Sequence, residues 1–389
     1  MAAWQAYLGV DAWHEAGYQG GGIKVGVLDV AFGGLEQVPA QITLPPDRQE
    51  SRYAGPPDSH GTLVLETLLS IAPQADYYLY ALHPAGRDLE QAVTWLLEMG
   101  VGVVNYSLSS LDVPLDGTSY PAQQLGRLAD ANVLVVTSVG NHGVSYLSEI
   151  YRDENGDGWH EFQTGDPSLW VSPMLTENFG EAHLRWQDVY TQAEIDLDLY
   201  IFDASRQALW HASTQVQAGR AADWPHEDSF YPTTAGQPLY IGIRAKTKGA
   251  IPPNTRFYLY VDDSRLEYSS PTGSLAAPAD SPKLLAVGGI EQDESLWWRS
   301  ARGPTWDGRP KPDLVAPARL QLGGGVFVGT SASSPLVAGA AILARQAFPE
   351  LSEAEIRHWM LESTQALGHS HHSQEPFAYG RLWMPPPPH

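Results

Sequence analysis

The sequence predicts an α/β protein, with a parallel-sheet core interrupted by an inserted antiparallel β-sandwich of the jelly-roll kind. Three observations carry this. Both ends of the chain alternate apolar, β-branched runs with segments of helical spacing, the pattern of parallel strands joined by crossover helices. Between about Tyr146 and Gly273 the runs become short and aromatic-rich, divided by Gly, Pro, Asn and Asp turns. With 389 residues and a hydrophobic fraction of 43%, the chain can bury a large core and still carry an insertion. The expected divisions are residues 1–145 and 274–389 for the core and 146–273 for the insertion.

Ile23–Phe32, "IKVGVLDVAF", reads as a buried strand. His60–Pro73 has apolar residues at helical spacing and closes on a proline, and Ala75–Leu82 is a second strand. Asp88–Gly100 is an amphipathic helix with Asp88 as the expected cap and Gly100 as its stop. Val101–Leu108 and Asn132–Asn141 are two more strands, separated by the helical stretch "AQQLGRLADA". Within the insertion, "HLRWQDVY", "IDLDLYIFD", "QALWHAST", "PLYIGIRAK" and "RFYLYVDD" read as strands. The α/β style then resumes with Lys283–Ile290, an Ala-rich helix through Leu336–Phe348, and a last helix opening at Ser352. Ser352 and Glu355 there have the spacing of a capping box.

The formal net charge is −22, from 23 basic and 45 acidic residues, which argues against non-specific binding to nucleic acid or anionic membrane. The absence of cysteine excludes disulfides, thiol catalysis and zinc–thiolate sites. No apolar run is long enough to predict a membrane span. The first residues lack the basic and apolar regions of a signal peptide, so either a cytosolic chain or removal of a signal and pro-segment is expected.

In open parallel sheets, reactive groups gather at the carboxyl ends of strands and the amino ends of helices. Asp29 ends the first strand, His60 stands in "DSHGT" at a helix start, Asn141 ends a strand in "SVGNHG", and Ser331 opens a helix in "FVGTSASSPLVAG". Taken singly, each has a plain alternative as a turn or cap residue, and the chain has 13 histidines. Taken together, each sits in the local sequence that its chemical role requires. An α/β-hydrolase esterase would want G-x-S-x-G and the order Ser, acid, His; here the motif is G-x-S-x-S and the serine comes last.

These segments resemble the subtilisin-like serine peptidases, the subtilase family. "VGVLD" around Asp29, "HGT" at His60, "VGN" ending in Asn141, "GTSASSPLVAG" around Ser331, and Arg302–Ala318, "RGPTWDGRPKPDLVAPA", carry the resemblance in the family's order. It covers most of residues 1–145 and 274–389 and implies an α/β/α core. It further implies a catalytic triad of Asp29, His60 and Ser331 and an oxyanion hole from Asn141. Substrate contacts are implied for Ser107, Leu108, Ser109, Ser138 and Gly140. A serine hydroxyl needs a base to take its proton, the base needs an orienting acid, and the tetrahedral oxyanion needs donors. Gly329 is expected to allow close backbone approach, and Pro335 to sit in the first turn of the helix.

The implied activity is a serine endopeptidase acting on polypeptides as a monomer, with no cofactor for catalysis and with a pro-segment or inhibitor as a further partner. A peptide ligase using the same residues and a silent peptide-binding protein are the alternatives. The resemblance also favours an exported setting over a cytoplasmic one. The chain departs from the family at Leu63, where a second histidine is frequent, and at Ser107-Leu108-Ser109-Ser110, where the wall segment usually ends in glycines. The link His83–Asp88 is short for the family. The insertion follows Asn141 directly and is similar to the jelly-roll domains that accompany many bacterial peptidases. It is expected beside the cleft, to restrict access or grip substrate, or only to stabilise the core.

Inside it, Asp153, Asn155, Asp157 and Gly158 have the D-x-N-x-D-G spacing of a Ca²⁺ loop, with Glu161 as a further candidate ligand. Thr164 stands where the closing acid belongs, and an acidic turn that binds nothing is the alternative. Asp196 and Asp198 read as outward-facing acids on a strand, with another cation site as the alternative, and His369–His372, "HSHH", as a solvated loop, with metal binding as the alternative.

Overall fold

The computed structural model describes residues 2–111, 114–174, 179–233, 237–247, 251–323, 325–367 and 380–388. It divides into two compact units, Met1–Asn141 with Leu275–His389, and His142–Ser274. The insertion therefore begins before Tyr146. His142–Ser145 go with it because the Val144 and Ser145 carbonyls accept backbone bonds from Leu266 and Val261.

The first unit opens with two short helices that the sequence pattern did not mark, α1 (Ala2–Leu8) and α2 (Val10–Glu15). They are anchored by Leu8, Val10 and Trp13, all fully buried. There follow β1 (Lys24–Asp29), β2 (Gln41–Thr43), α3 (His60–Ile71), β3 (Asp76–Ala81), α4 (Leu89–Met99), β4 (Val103–Tyr106), α5 (Tyr120–Asp130) and β5 (Leu134–Ser138). Asp88 precedes α4 but does not cap it; its carboxylate accepts the His83 N–H and pairs with Arg52 at 2.7 Å.

The second unit holds β6 (Tyr146–Ile150), β7 (Leu169–Pro173), β8 (Phe179–Trp186), β9 (Leu197–Phe202), β10 (Leu209–Ser213), β11 (His226–Pro232), β12 (Leu239–Ala245), β13 (Arg256–Val261) and β14 (Ser264–Leu266). They form two antiparallel sheets, ordered β10-β9-β12-β7-β14 and β11-β8-β13-β6. Both contribute to one apolar cluster, for example Leu197 and Ile241 from the first and Leu184 and Phe257 from the second.

The chain then returns through β15 (Leu285–Ile290), β16 (Leu314–Pro317), the hairpin β17 (Arg319–Leu322) and β18 (Gly325–Val328), α6 (Thr330–Ala347) and α7 (Glu353–Glu362). Ser352 and Glu355 close the capping box of α7. The seven-stranded sheet runs β16-β15-β5-β4-β1-β3-β2 with every pair parallel. From β1 the chain builds outward to β3 and β2 on one side, and to β4, β5, β15 and β16 on the other. The order thus reverses between β1 and β4, the position at which open parallel sheets place their reactive groups. Among the described residues no helix is long and apolar enough to cross a membrane.

Helix α6 is apolar on every side and accordingly buried from Thr330 to Arg345. It packs on α3 through Gly339, where an added Cβ would lie 2.6 Å from Ile71 Cβ. The small residue sets the spacing of the two helices that carry His60 and Ser331. Replacing Gly339 by Ala should cost about 1–3 kcal/mol through overpacking, read as a lower urea midpoint at unchanged m-value.

Candidate active site

Asp29 closes β1 opposite Ala81 of β3, and its side chain is fully buried. One oxygen, Oδ1, accepts the Val30 N–H at 2.8 Å. The "HGT" segment then brings α3 against the end of this strand. Gly61 donates its N–H to the Ala31 carbonyl, and a Cβ there would come within 2.5 Å of that oxygen and 2.9 Å of Asp29 Cβ. Thr62 Oγ1 both donates to the Gly33 carbonyl and accepts from the Gly33 N–H, each at 2.8 Å. Clamped this way, His60 Nδ1 lies 2.9 Å from both Asp29 oxygens. Nε2 is left as the imidazole's available acceptor. Burial alone pulls the His60 pKa down, but the charge and hydrogen bond of Asp29 outweigh it, and the pKa lies above the ordinary histidine value.

Ser331 sits in the first turn of α6, and its Oγ donates to the Ser107 carbonyl at 3.1 Å. Among the described residues no hydrogen bond joins it to His60. The His60 ring instead packs edge-on against Phe327 of β18, with centroids 5.6 Å apart. Pro335 lies deeper in α6 than the first turn where it was expected. Having no N–H, it cannot bond the Ser331 carbonyl four residues back. Ser107 Oγ donates to that carbonyl at 3.4 Å. Ser107 is itself buried and held by Asn105 Nδ2 and Ser334 Oγ.

Asn141 follows β5, and its Oδ1 accepts from both the N–H and the hydroxyl of Thr330 at 3.0 Å. This fixes the amide plane and leaves Nδ2 as a donor. Thr330, Ser334, Asn105 and Phe327 are the contributors that sequence reasoning did not assign. Only Thr330 and Ser334 offered a signal, as polar neighbours of Ser331.

Of the five expected substrate contacts, Leu108 is half-buried and Ser109 exposed. Beyond them Ser110 pairs with Ala277 through two backbone bonds. Ser138 is buried within β5, and the Gly140 carbonyl is committed to the Ala301 N–H at 3.0 Å.

In the second unit, Asp153 spends its carboxylate on the N–H groups of Gly156, Asp157 and Gly158. Asn155 accepts the Asp157 N–H, Asp157 accepts the Trp159 N–H, and the buried Glu161 accepts the Gly165 N–H. Among the described residues, the histidine and carboxylate side chains whose ligand atoms gather within 4.8 Å of one another are Glu181, His183 and Asp262. Asp196 and Asp198 are buried rather than outward-facing. Tyr200 donates to Asp198 at 2.8 Å, and burial raises both pKa values. His369–His372 lie outside the described residues.

Residues 267–380 match the Subtilase family. The matched stretch holds Ser331 but not Asp29, His60 or Asn141. Subtilisin-like protease SBT6.1 of Arabidopsis thaliana is 36% identical over 96 residues, 22% of this chain and 9% of the relative. Mycosin-1 of Mycobacterium tuberculosis is 26% identical over 237 residues, 48% of this chain and 53% of the relative. The chain thus spans about half, or much less, of the length of these relatives. The solved CspB protease of Clostridium perfringens has the same fold, with a TM-score of 0.65 at 15% identity over 96% of this chain and 95% of that one.

Removing the Asp29 charge should lower the His60 pKa. In imidazole NMR titrations the His60 midpoint is expected above about 6.5 in the native chain, and lower in Asp29→Asn.

Proposed function

We propose that the chain is a subtilisin-type serine endopeptidase working through an acyl-enzyme, with Asp29, His60 and Ser331 as its triad. The reading is carried by one observation, the pairing of His60 Nδ1 with both oxygens of a fully buried Asp29. A buried carboxylate is costly unless compensated. Here it holds one imidazole tautomer and stabilises the imidazolium once a proton arrives.

Ser331 Oγ turns from the Ser107 carbonyl toward His60 and passes its proton to Nε2. It attacks the scissile carbonyl carbon, whose π electrons move onto oxygen. Asn141 Nδ2 and the Ser331 N–H, at the amino end of α6, stabilise that oxyanion. Collapse breaks the C–N bond, and the departing amine takes the proton from His60. Water then repeats the sequence on the ester and frees Ser331. Thr330 acts as a positioning residue by keeping Nδ2 of Asn141 turned to the oxyanion. The backbone around Ser109 is open to an extended peptide, which would join it by strand addition. No organic cofactor enters these steps.

A fluorophosphonate probe should add to the native chain and not to Ser331→Ala or His60→Ala, as read by intact mass. A folded native chain that stays unlabelled would sink the reading. Products of a peptide substrate should gain one water; an unchanged total mass would indicate transfer to an amine instead. Asn141→Ala should lower kcat by about 10²–10³ with little change in KM. Because His60 must be neutral to accept a proton and its pKa is raised, the acid limb of kcat/KM should fall above about pH 6.5.

A further inference from the structure

The second unit carries a cluster of ionisable side chains that peptide hydrolysis does not use. Side chains alternate along β8: Ala182 and Leu184 enter the apolar cluster, so Glu181 and His183 face the other way. Asp262 follows β13, the neighbour of β8, and its N–H donates to the Glu181 carbonyl at 2.9 Å. One ligand atom from each of Glu181, His183 and Asp262 lies within 4.8 Å of the other two. His183 Nε2 is 3.5 Å from Glu181 Oε2 and 3.7 Å from Asp262 Oδ2.

Direct hydrogen bonds would be shorter, at about 2.7–3.2 Å. The edge of a tetrahedron with metal–ligand bonds of about 2.1 Å is about 3.4 Å, close to both spacings. The surroundings orient the donors. Asp228 stands opposite His183 in the β11–β8 register, 2.8 Å from His183 Nδ1. With Nδ1 so engaged, Nε2 is the ring nitrogen turned to the two carboxylates, an arrangement that a proton on Nε2 or a cation between them satisfies. His142 Nε2, 3.3 Å from Asp262 Oδ1, restrains that carboxylate from its other side. Arg185 pairs with Asp228 at 2.8 Å, and Glu181 and Asp262 are the carboxylates nearest His183 Nε2.

We propose that Glu181, His183 and Asp262 bind one divalent first-row transition-metal ion of the Zn²⁺ class, with Asp228 and His142 as positioning residues. One imidazole and two carboxylates suit such an ion better than Ca²⁺, which prefers six or more oxygens. Three protein ligands leave a coordination position for water. The outer carboxylate on the ligating histidine is the usual device for fixing its tautomer.

The test is a Co²⁺ titration of the full chain carrying Ser331→Ala, to prevent self-cleavage, with His369, His371 and His372 replaced by Ala to remove other clustered imidazoles. One equivalent should give visible d–d bands that Zn²⁺ abolishes and equal Ca²⁺ does not. Glu181→Gln and His183→Asn should each weaken Co²⁺ binding by at least about tenfold, and Asp228→Asn by about 10–100-fold. No bands in the parent chain would overturn the proposal and leave His183 as a protonated imidazole among carboxylates. Bands undiminished in Glu181→Gln would overturn it equally. That variant decides the matter if His183→Asn fails to fold, because the Glu181 side chain is 49% exposed.

Discussion

Burying the Asp29 carboxylate at the end of β1 is the constraint on which the arrangement around His60 depends. A charge there must be met by hydrogen bonds and an ionisable partner, or it would protonate. The Val30 N–H supplies one bond and His60 Nδ1 engages both oxygens. The local sequence serves this need: Gly61 lets α3 approach, and Thr62 ties its first turn to Gly33. The strand-order reversal beside β1 then sets Ser107, just after β4, within reach of Ser331.

A second set of contacts disposes α6. Its apolar circumference demands burial, and Gly339 lets it close on α3. Pro335 removes one helical bond, and the Ser331 carbonyl it frees is bonded by Ser107 Oγ. Thr330 uses two of its groups on Asn141. The surroundings of Ser331, Ser107 and Asn141 are therefore joined by hydrogen bonds rather than by apolar packing alone, so an error in one position propagates to the others.

The second unit handles charge differently. Glu227 is fully buried, and burial lifts its pKa to about 7 despite bonds from Ser213, Gln217 and Gln215. His183, by contrast, has its pKa lowered by burial but lifted further by Asp228 and Asp262, to about 9. A buried acid with neutral hydrogen-bond partners, such as Glu227, is pushed toward protonation. Acids facing histidine and arginine, such as Asp228 and Asp262, are held ionised.

The sequence by itself determined the alternation of strands and helices, because apolar period and turn chemistry are local. It also marked Asp29, His60, Asn141 and Ser331, since a reactive group at an element end needs glycines and small polar neighbours beside it. It did not reveal α1 and α2, whose six- and seven-residue lengths are too short for a clear periodicity and whose stability comes from burying Trp13. Nor could it tell that Asp196 and Asp198 would be buried, because strand alternation says which residues share a face but not what covers that face. Tertiary structure alone decided that Thr330 anchors Asn141 and that Glu181, His183 and Asp262 converge. Thr330 lies far from Asn141 in the chain, and Asp262 far from the strand that carries Glu181 and His183. Their meeting is set by sheet register and backbone pairing, which no local pattern encodes.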